Sequence, residues 1–480
     1  MEREGTEQLS SSLLAEENSS KNDLNGSNSA TAVLVFSTFI AVCGSYICGA
    51  TVGYSSPTET GIMEDLGLST AEYSVFGSTV TIGAMVGAVF SGKIADLVGR
   101  RAAMGISEAV SLTGWLAIAF SQTALLLDIG RLFTGCGVGL LTYTVPVYIT
   151  EITPKNLRGS FAAVHPFMLT IGIAMTYFIG AVVSWRILAL IGTIPCVVHL
   201  VGLFFLPESP RWLAKAGKEN VYETALLCLR GVNADISEEA IEIKENIEAL
   251  QQLPEGRILE LFQRIYARSL ITGVGLVLLQ QLGGSIAIAS YASSIFEKAG
   301  RLWFFGFSVT VGTIVMSVAQ IPMTILSILL MDKSGRRQLL MVSCSGTCFG
   351  CLLVGLSFSL QDIRWWKGLT PVLAFIGLVT YNAFFGLGLS GIPWLIMSEV
   401  FPINMKGSAG SLCNLVYWSS SWFMTYIFNF SMEWSSAGTF FILSSIGGLT
   451  VGFVRKIVPE TKGQTLEEIQ AVMNPAIVKG

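Results

Sequence analysis

Asp96-Leu-Val-Gly-Arg-Arg101 returns as Asp332-Lys-Ser-Gly-Arg-Arg337, 236 residues further along the chain. Two more pairs keep the same order at nearly the same offset. Pro146-Val-Tyr-Ile-Thr-Glu151 with Gly159 recurs as Pro393-Trp-Leu-Ile-Met-Ser-Glu399 with Gly407, the Glu and Gly both displaced by 248. Pro207-Glu-Ser209 recurs as Pro459-Glu-Thr461, with the Glu displaced by 252. Three motifs in one order at almost one spacing are a duplication, and what lies between them says of what.

Between the motifs run apolar stretches near residues 31–53, 73–92, 103–121, 131–150, 161–183 and 187–206. Six more follow near 269–292, 305–331, 339–360, 371–397, 409–430 and 436–455. A bilayer crossing takes about 20 apolar residues as helix, and 52% of the 480 residues are hydrophobic against 13% charged, enough for about a dozen crossings and too few charges for a soluble domain. The fold class is therefore an all-α membrane protein of twelve spanning helices in two parallel six-helix repeats. The expected divisions are a polar, disordered cytosolic tail at 1–30, a first bundle at 31–206, a linker at 207–268, a second bundle at 269–455 and a tail at 456–480. Within the linker, Ile236 to Leu261 reads as an amphipathic helix.

Composition also excludes. A formal charge of −4 leaves no basic face for nucleic acid. The nine cysteines show no metal or disulfide spacing, no nucleophile, base and orienting partner gather as in an enzyme, and no cofactor is expected. The remaining partners are the bilayer and a small molecule, and the protein is expected to work as a monomer.

Lysine and arginine orient the chain. Connections after even-numbered spans carry Lys93, Arg100, Arg101, Lys155, Arg158, Lys333, Arg336, Arg337 and Lys406, and the linker and tails carry most of the rest. Arg131, Arg186, Lys298, Arg301, Arg364 and Lys367 fall on the opposite side, so both termini and the linker face the cytosol. Every repeated motif then lies at a cytosolic helix end. Asp96, Arg100, Arg101, Glu151, Arg158, Glu208 and Arg211, with Asp332, Arg336, Arg337, Glu399 and Glu460, are expected to form ion pairs across the halves that latch the cytosolic mouth. Surface pairs are worth about 0 to 1 kcal/mol each, which suits a breakable latch.

The repeated Gly-Arg-Arg, Arg131-x3-Gly135-x-Gly137-x-Gly139, Pro207-Glu-Ser-Pro-Arg-Trp212, Gln280-Gln281 and Pro459-Glu-Thr-Lys-Gly463 together resemble the sugar porter family of the major facilitator superfamily. Gly44-Ser-Tyr-Ile-Cys-Gly49, Gly53-Tyr-Ser-Ser56 and Tyr291-Ala-Ser-Ser-Ile-Phe-Glu297 are similar to its early-responsive-to-dehydration-like group of plant monosaccharide transporters. The resemblance implies hexose transport by two halves rocking about a midplane site. It implies hydrogen bonds to sugar from Gln280, Gln281 and Gln320, and an inner gate at Trp394 with a helix break at Gly391 and Pro393. An outer gate at Tyr291 is implied as well, with membrane anchoring the competing use of that ring. Where the family commonly has amides, Pro166, Ile286 and Tyr417 stand here, and Asn414 can replace one. Leu9, Leu13 and Leu14 form a leucine sorting signal for an adaptor, which in that group accompanies the vacuolar membrane, expected ahead of the plasma membrane.

Proton-coupled relatives carry a first-span Asp, and Ile47 takes the nearest equivalent place. No carboxylate is expected deep in a span: Glu108 falls close to the cytosolic end of the third, and His165 and His199 read as packed helix contacts. Facilitated diffusion follows as the expectation. A proton-coupled symporter or antiporter using His165, or a sugar sensor that does not transport, are the alternatives.

Overall fold

The computed structural model describes residues 31–154, 157–231, 234–252, 258–300, 308–361, 370–401, 405–462 and 473. Leu9, Leu13 and Leu14 lie outside the described residues, as does the side chain of Asp332. The first half holds α1 (Ala32–Gly53), α2 (Ser55–Leu66), α3 (Thr70–Val98), α4 (Arg100–Ala119), α5 (Ala124–Ile152), α6 (Arg158–Ala162), α7 (Val164–Gly180) and α8 (Trp185–Leu203). The linker is α9 (Pro210–Lys215), α10 (Glu219–Arg230) and α11 (Ser237–Gln252), followed by short 3-10 turns at Ile258–Phe262 and Arg264–Tyr266. The second half holds α12 (Ala267–Leu282), α13 (Ser285–Ser290), α14 (Ala292–Ala299), α15 (Val309–Ser334), α16 (Arg336–Leu360), α17 (Thr370–Phe384), a π turn at Phe385–Leu389, α18 (Ile392–Val400), α19 (Lys406–Trp434) and α20 (Ser436–Ile457).

Starts of these helices are written in hydroxyl caps. Ser69 opens α3 with a capping box: its Oγ accepts from the Glu72 amide, while Glu72 Oε2 accepts from the Ser69 amide at 2.8 Å. Ser308 and Ser435 cap α15 and α20 in the same simple way, each Oγ accepting an amide three residues on. Among the described residues, 11 helical stretches are long and apolar enough to cross a membrane. Helix α19 supplies the remaining span, the eleventh in chain order; Ser419, Ser420, Ser421 and Asn414 make it more polar than those.

Packing inside the first half sets α5 against α3 and α4, with α1 against α7 and α4 against α8. The contact is backbone to backbone. A Cβ on Gly135 or Gly139 would stand 2.2 or 2.1 Å from a carbonyl of α3, while one on Gly137 would stand 2.8 Å from the Ser107 carbonyl of α4. Residues two apart on a helix point to nearly opposite sides, so the alternating glycines let one helix press against two neighbours. In the second half α16 packs on α17 and α20, α15 on α17, and α12 on α19. The halves meet where α3 lies on α19 and α7 on α15.

Three details differ from the sequence expectation. The linker carries α9 and α10 before the amphipathic helix, and its aromatic core of Trp212, Leu213, Tyr222 and Leu226 is folded in its own right. Arg131 belongs to no outer loop: it is fully buried in α5, donating to the Thr51 carbonyl at 2.8 Å and to Ser55 Oγ, under the rings of Tyr54 and Phe76. Glu108 is fully buried too. Its Oε1 lies 2.7 Å from Nδ1 of His199, itself fully buried, so the interior does contain an acid and a base, paired with each other.

Candidate functional site

The seventh and tenth spans are broken at mid-depth, and the breaks build the site. Helix α12 ends at Gly283, and Gly284 takes φ +83° before α13 restarts, a region that favours glycine. The tenth span widens into the Phe385–Leu389 π turn, loosens at Gly391 and restarts with Pro393 inside the first turn of α18, where a missing N–H costs nothing. The break expected at Gly391 and Pro393 is therefore present.

Adjacent on α12, Gln280 and Gln281 face different neighbours. Gln280 Nε2 donates to the Leu389 carbonyl of the π turn at 2.6 Å. Gln280 also borders a cavity lined by Thr347, Cys351, Tyr381 and Leu443 of its own half. Gln281 turns toward α19: its Oε1 accepts from Ser421 Oγ at 2.7 Å and from Ser285 Oγ at 3.3 Å. With its carbonyl doubly engaged the amide is held in one orientation, and its buried Nε2 makes no hydrogen bond within 3.5 Å, with the Tyr417 phenol as its polar neighbour. A buried N–H left unbonded costs about 1 to 3 kcal/mol, which makes this donor a candidate for a ligand hydroxyl, as the likewise unpartnered Gln280 Oε1 is a candidate acceptor. Gln320 is buried on α15 with its Cγ against the Gly386 backbone.

Aromatic surface comes from the same region. The Trp394 and Tyr417 rings lie 5.4 Å apart at 60°, and Tyr417 meets Trp418 edge-on at 4.9 Å. Asn414, Tyr417, Trp418 and Ser421 recur at helical spacing on α19, and sequence reading took up only the first as a contributor to the site. The spacing i, i+3, i+4, i+7 was the available signal. Tyr381 and Asn382 were missed as well: Tyr381 Oη donates to the Gly283 carbonyl at 3.0 Å, and Asn382 Nδ2 to the Met316 carbonyl at 3.1 Å, bracing both breaks.

On the side of the site away from the repeated motifs, the two halves close on each other. Tyr291 is fully buried, stacked on Phe428 at 5.7 Å and edge-on to Tyr73 at 6.4 Å, so it bridges the halves and does not anchor in lipid. Ser56 Oγ lies 2.9 Å from Ser293 Oγ, Asn429 Nδ2 donates to Ser74 Oγ at 3.2 Å, and Tyr177 Oη donates to the Ala289 carbonyl.

At the helix ends that carry the repeated motifs, the charges do something other than expected. Arg100 grips Glu151 through Nε and Nη2 at 2.8 and 3.0 Å and Asp96 through Nη1 at 2.9 Å, all within the first half. Glu208 makes no ion pair with either arginine side chain. Its Oε1 accepts the amides of Arg100, Arg101 and Ser209 at 3.0, 3.2 and 2.9 Å, capping α4 at a distance in sequence. Burial pushes the Glu208 carboxyl up from its ordinary range, against those donors. Gly99, at φ +95°, is the turn that aims the amides, and a Cβ there would sit 2.5 Å from Glu208 Oε2. The second half repeats the device: Glu460 accepts the amides of Arg336 and Arg337 at 3.0 and 3.2 Å, beside Gly335 at φ +86°. Arg336 lies 4.0 Å from Glu399 of its own half, and Arg337 donates to the Arg455 carbonyl. Among the described side chains, the expected pairing across the halves gives way to braces inside the first half, because Arg100 and the Glu151 and Glu208 oxygens spend their valences locally. Arg158 and Arg211 lie half-buried beside each other and the linker.

The profile of the family described as sugar (and other) transporter matches residues 13–473. Sugar transporter ERD6-like 16 of Arabidopsis thaliana is 50% identical over 465 residues, covering 97% of this chain and 95% of the relative. Sugar transporter ESL1 of the same plant is 47% identical over 468 residues, 98% of each. Among solved structures, the proton:xylose symporter XylE bound to 6-bromo-6-deoxy-D-glucose superposes with a TM-score of 0.76 at 24% identity, over 93% of this chain and 100% of that one. The inward open conformation of XylE from E. coli gives 0.75 at 23%, over 91% and 99%. These likenesses establish the twelve-span major facilitator fold. On the matching profile and the two plant relatives, this chain belongs to the sugar transporter family.

Proposed function

We propose that this protein carries a monosaccharide, a hexose, across the membrane by alternating access and facilitated diffusion. The observation that carries the reading is the unbonded Nε2 of Gln281, held by Ser421 and Ser285 beside the Trp394 and Tyr417 rings. An amide donor next to an aromatic face matches a sugar's hydroxyls and apolar ring. Gln320 and Asn414 are proposed as further amides, and Trp394 and Tyr291 as inner and outer gates. Uniport is supported by Ile47, an apolar core residue where coupled relatives carry an acid. The other titratable pair, Glu108 and His199, closes on itself within one half, and His165 is engaged with Ser45 Oγ at 2.7 Å.

Purified protein in liposomes is expected to equilibrate labelled D-glucose with no proton gradient present. Accumulation above equilibrium under an imposed gradient would overturn uniport, and no sugar movement under either condition would favour a sensor.

A further inference from the structure

Glu59 sits where nothing in the transport reading requires a carboxylate. It lies on α2, the outward extension of the first span, and is 7% exposed. Its Oε2 accepts from Ser294 Oγ of α14 at 2.6 Å, so the contact crosses from one half to the other. The neighbouring cross-half contact is Ser56 with Ser293, whose amide donates to Ser56 Oγ at 3.0 Å. From these contacts we infer that Glu59 is a proton-binding site on the outer seam, and that its protonation from the outer side sets how tightly the seam closes.

The charges around it leave the acid uncompensated. From α14 come Glu297, which opposes ionisation, and the more weakly felt Lys298. From α3 and the turn before α14 come the phenols of Tyr73 and Tyr291. Arg131 of α5 lies behind those phenols and is committed to Thr51 and Ser55. Arg186 of α8 is committed to Asp65 at 3.0 Å, and α7 presents Tyr177. Burial therefore dominates and raises the Glu59 carboxyl to about 7, with the Ser294 hydrogen bond opposing.

The sign follows from what opening does. Parting the halves hydrates Glu59 and returns it toward the ordinary carboxylate value, near 4.5. The closed seam thus holds the proton more tightly than the open one. Above pH 7 the group is ionised in both states and closure is weakest. As outer pH falls from about 7 to about 4.5, closure strengthens, and below that it levels off. The ceiling on the change in the closed-to-open ratio is roughly a few hundred-fold. A proton taken and returned on the same side does no work on sugar, so the site governs rate and leaves the equilibrium alone.

The inference deepens the transporter reading for this seam, and its test separates the two. Ser293→Cys in intact cells that present the outer face is labelled with a membrane-impermeant maleimide between pH 5 and 8.5, each rate corrected with free cysteine. Labelling is expected to rise with pH, with its steepest change below about 7, and to become flat in Ser293→Cys/Glu59→Gln. Glu59→Asp should keep a pH response with a displaced midpoint, which covers the case that the Gln variant fails to reach the membrane. Labelled D-glucose exchange at equal pH on both sides should lose the same pH dependence in Glu59→Gln. An unchanged labelling profile in Glu59→Gln overturns the site whatever the sugar assay shows. Absent glucose exchange with the labelling profile intact counts against the substrate and leaves the proton site standing.

Discussion

Gln281 differs from Gln280 in what is left over after the protein has used each side chain. Gln280 spends its amide donor on the Leu389 carbonyl and leaves an acceptor unpartnered, whereas Gln281 spends its acceptor and leaves a donor. Replacing Gln281 by Ala should therefore raise the half-saturation for D-glucose roughly threefold to tenfold, the worth of one hydrogen bond, with normal insertion. Gln280→Ala should instead lower thermal stability, by freeing the carbonyl that pins the π turn. Opposite outcomes in flux and melting measurements would exchange the two roles. The pair was visible in the sequence as adjacent amides in an apolar run. Which atom each leaves free was not, since for Gln281 that depends on Ser421, 140 residues away. The same is true of Glu108 and His199: each was read alone, because a partner 91 residues distant leaves no local trace.

Among elements, the α3–α5 pair is the one most exposed to a single methyl group. Gly139 faces the Ala84 carbonyl of α3 so closely that any Cβ forces the helices apart, and backbone cannot rotate away as a side chain can. Gly139→Ala is expected to cost about 1 to 3 kcal/mol in detergent melting. Gly452→Ala on α20, where a Cβ meets nothing within 4 Å, should be neutral or slightly stabilising. Equal melting of the two variants would remove close packing as the reason for the glycine motif. Spans were legible because an apolar run of fixed length has one solution in lipid. Helices α9 and α10 were not, being short, mixed in polarity and held by Trp212 and Tyr222 packing on one another's neighbours.

At the scale of the molecule, the duplication read from three motifs is a duplication of braces. Each half carries its own glycine turn, its own glutamate cap and its own Arg and Glu at the rim. The sequence showed the parts and their order; it did not show that Glu208 would bind backbone amides in preference to a guanidinium, a choice made by the turn at Gly99. The proposed leucine signal of the tail is tested by location: with vacuolar residence proposed, replacing Leu13 and Leu14 by Ala should move a fluorescent fusion to the plasma membrane, and an unaltered location would dismiss the signal.

A brace confined to one half also has a mechanical meaning. Near mid-depth the halves touch through Ser419 Oγ and the Met85 sulfur at 3.2 Å, a soft contact with little directional demand. Stiff rims on either side of a soft fulcrum behave like the jaws of pliers. A small parting of the seam at Tyr291 is expected to reach the opposite mouth as displacement, with little lost to bending, and only the weak Ser419–Met85 contact has to shift at the pivot.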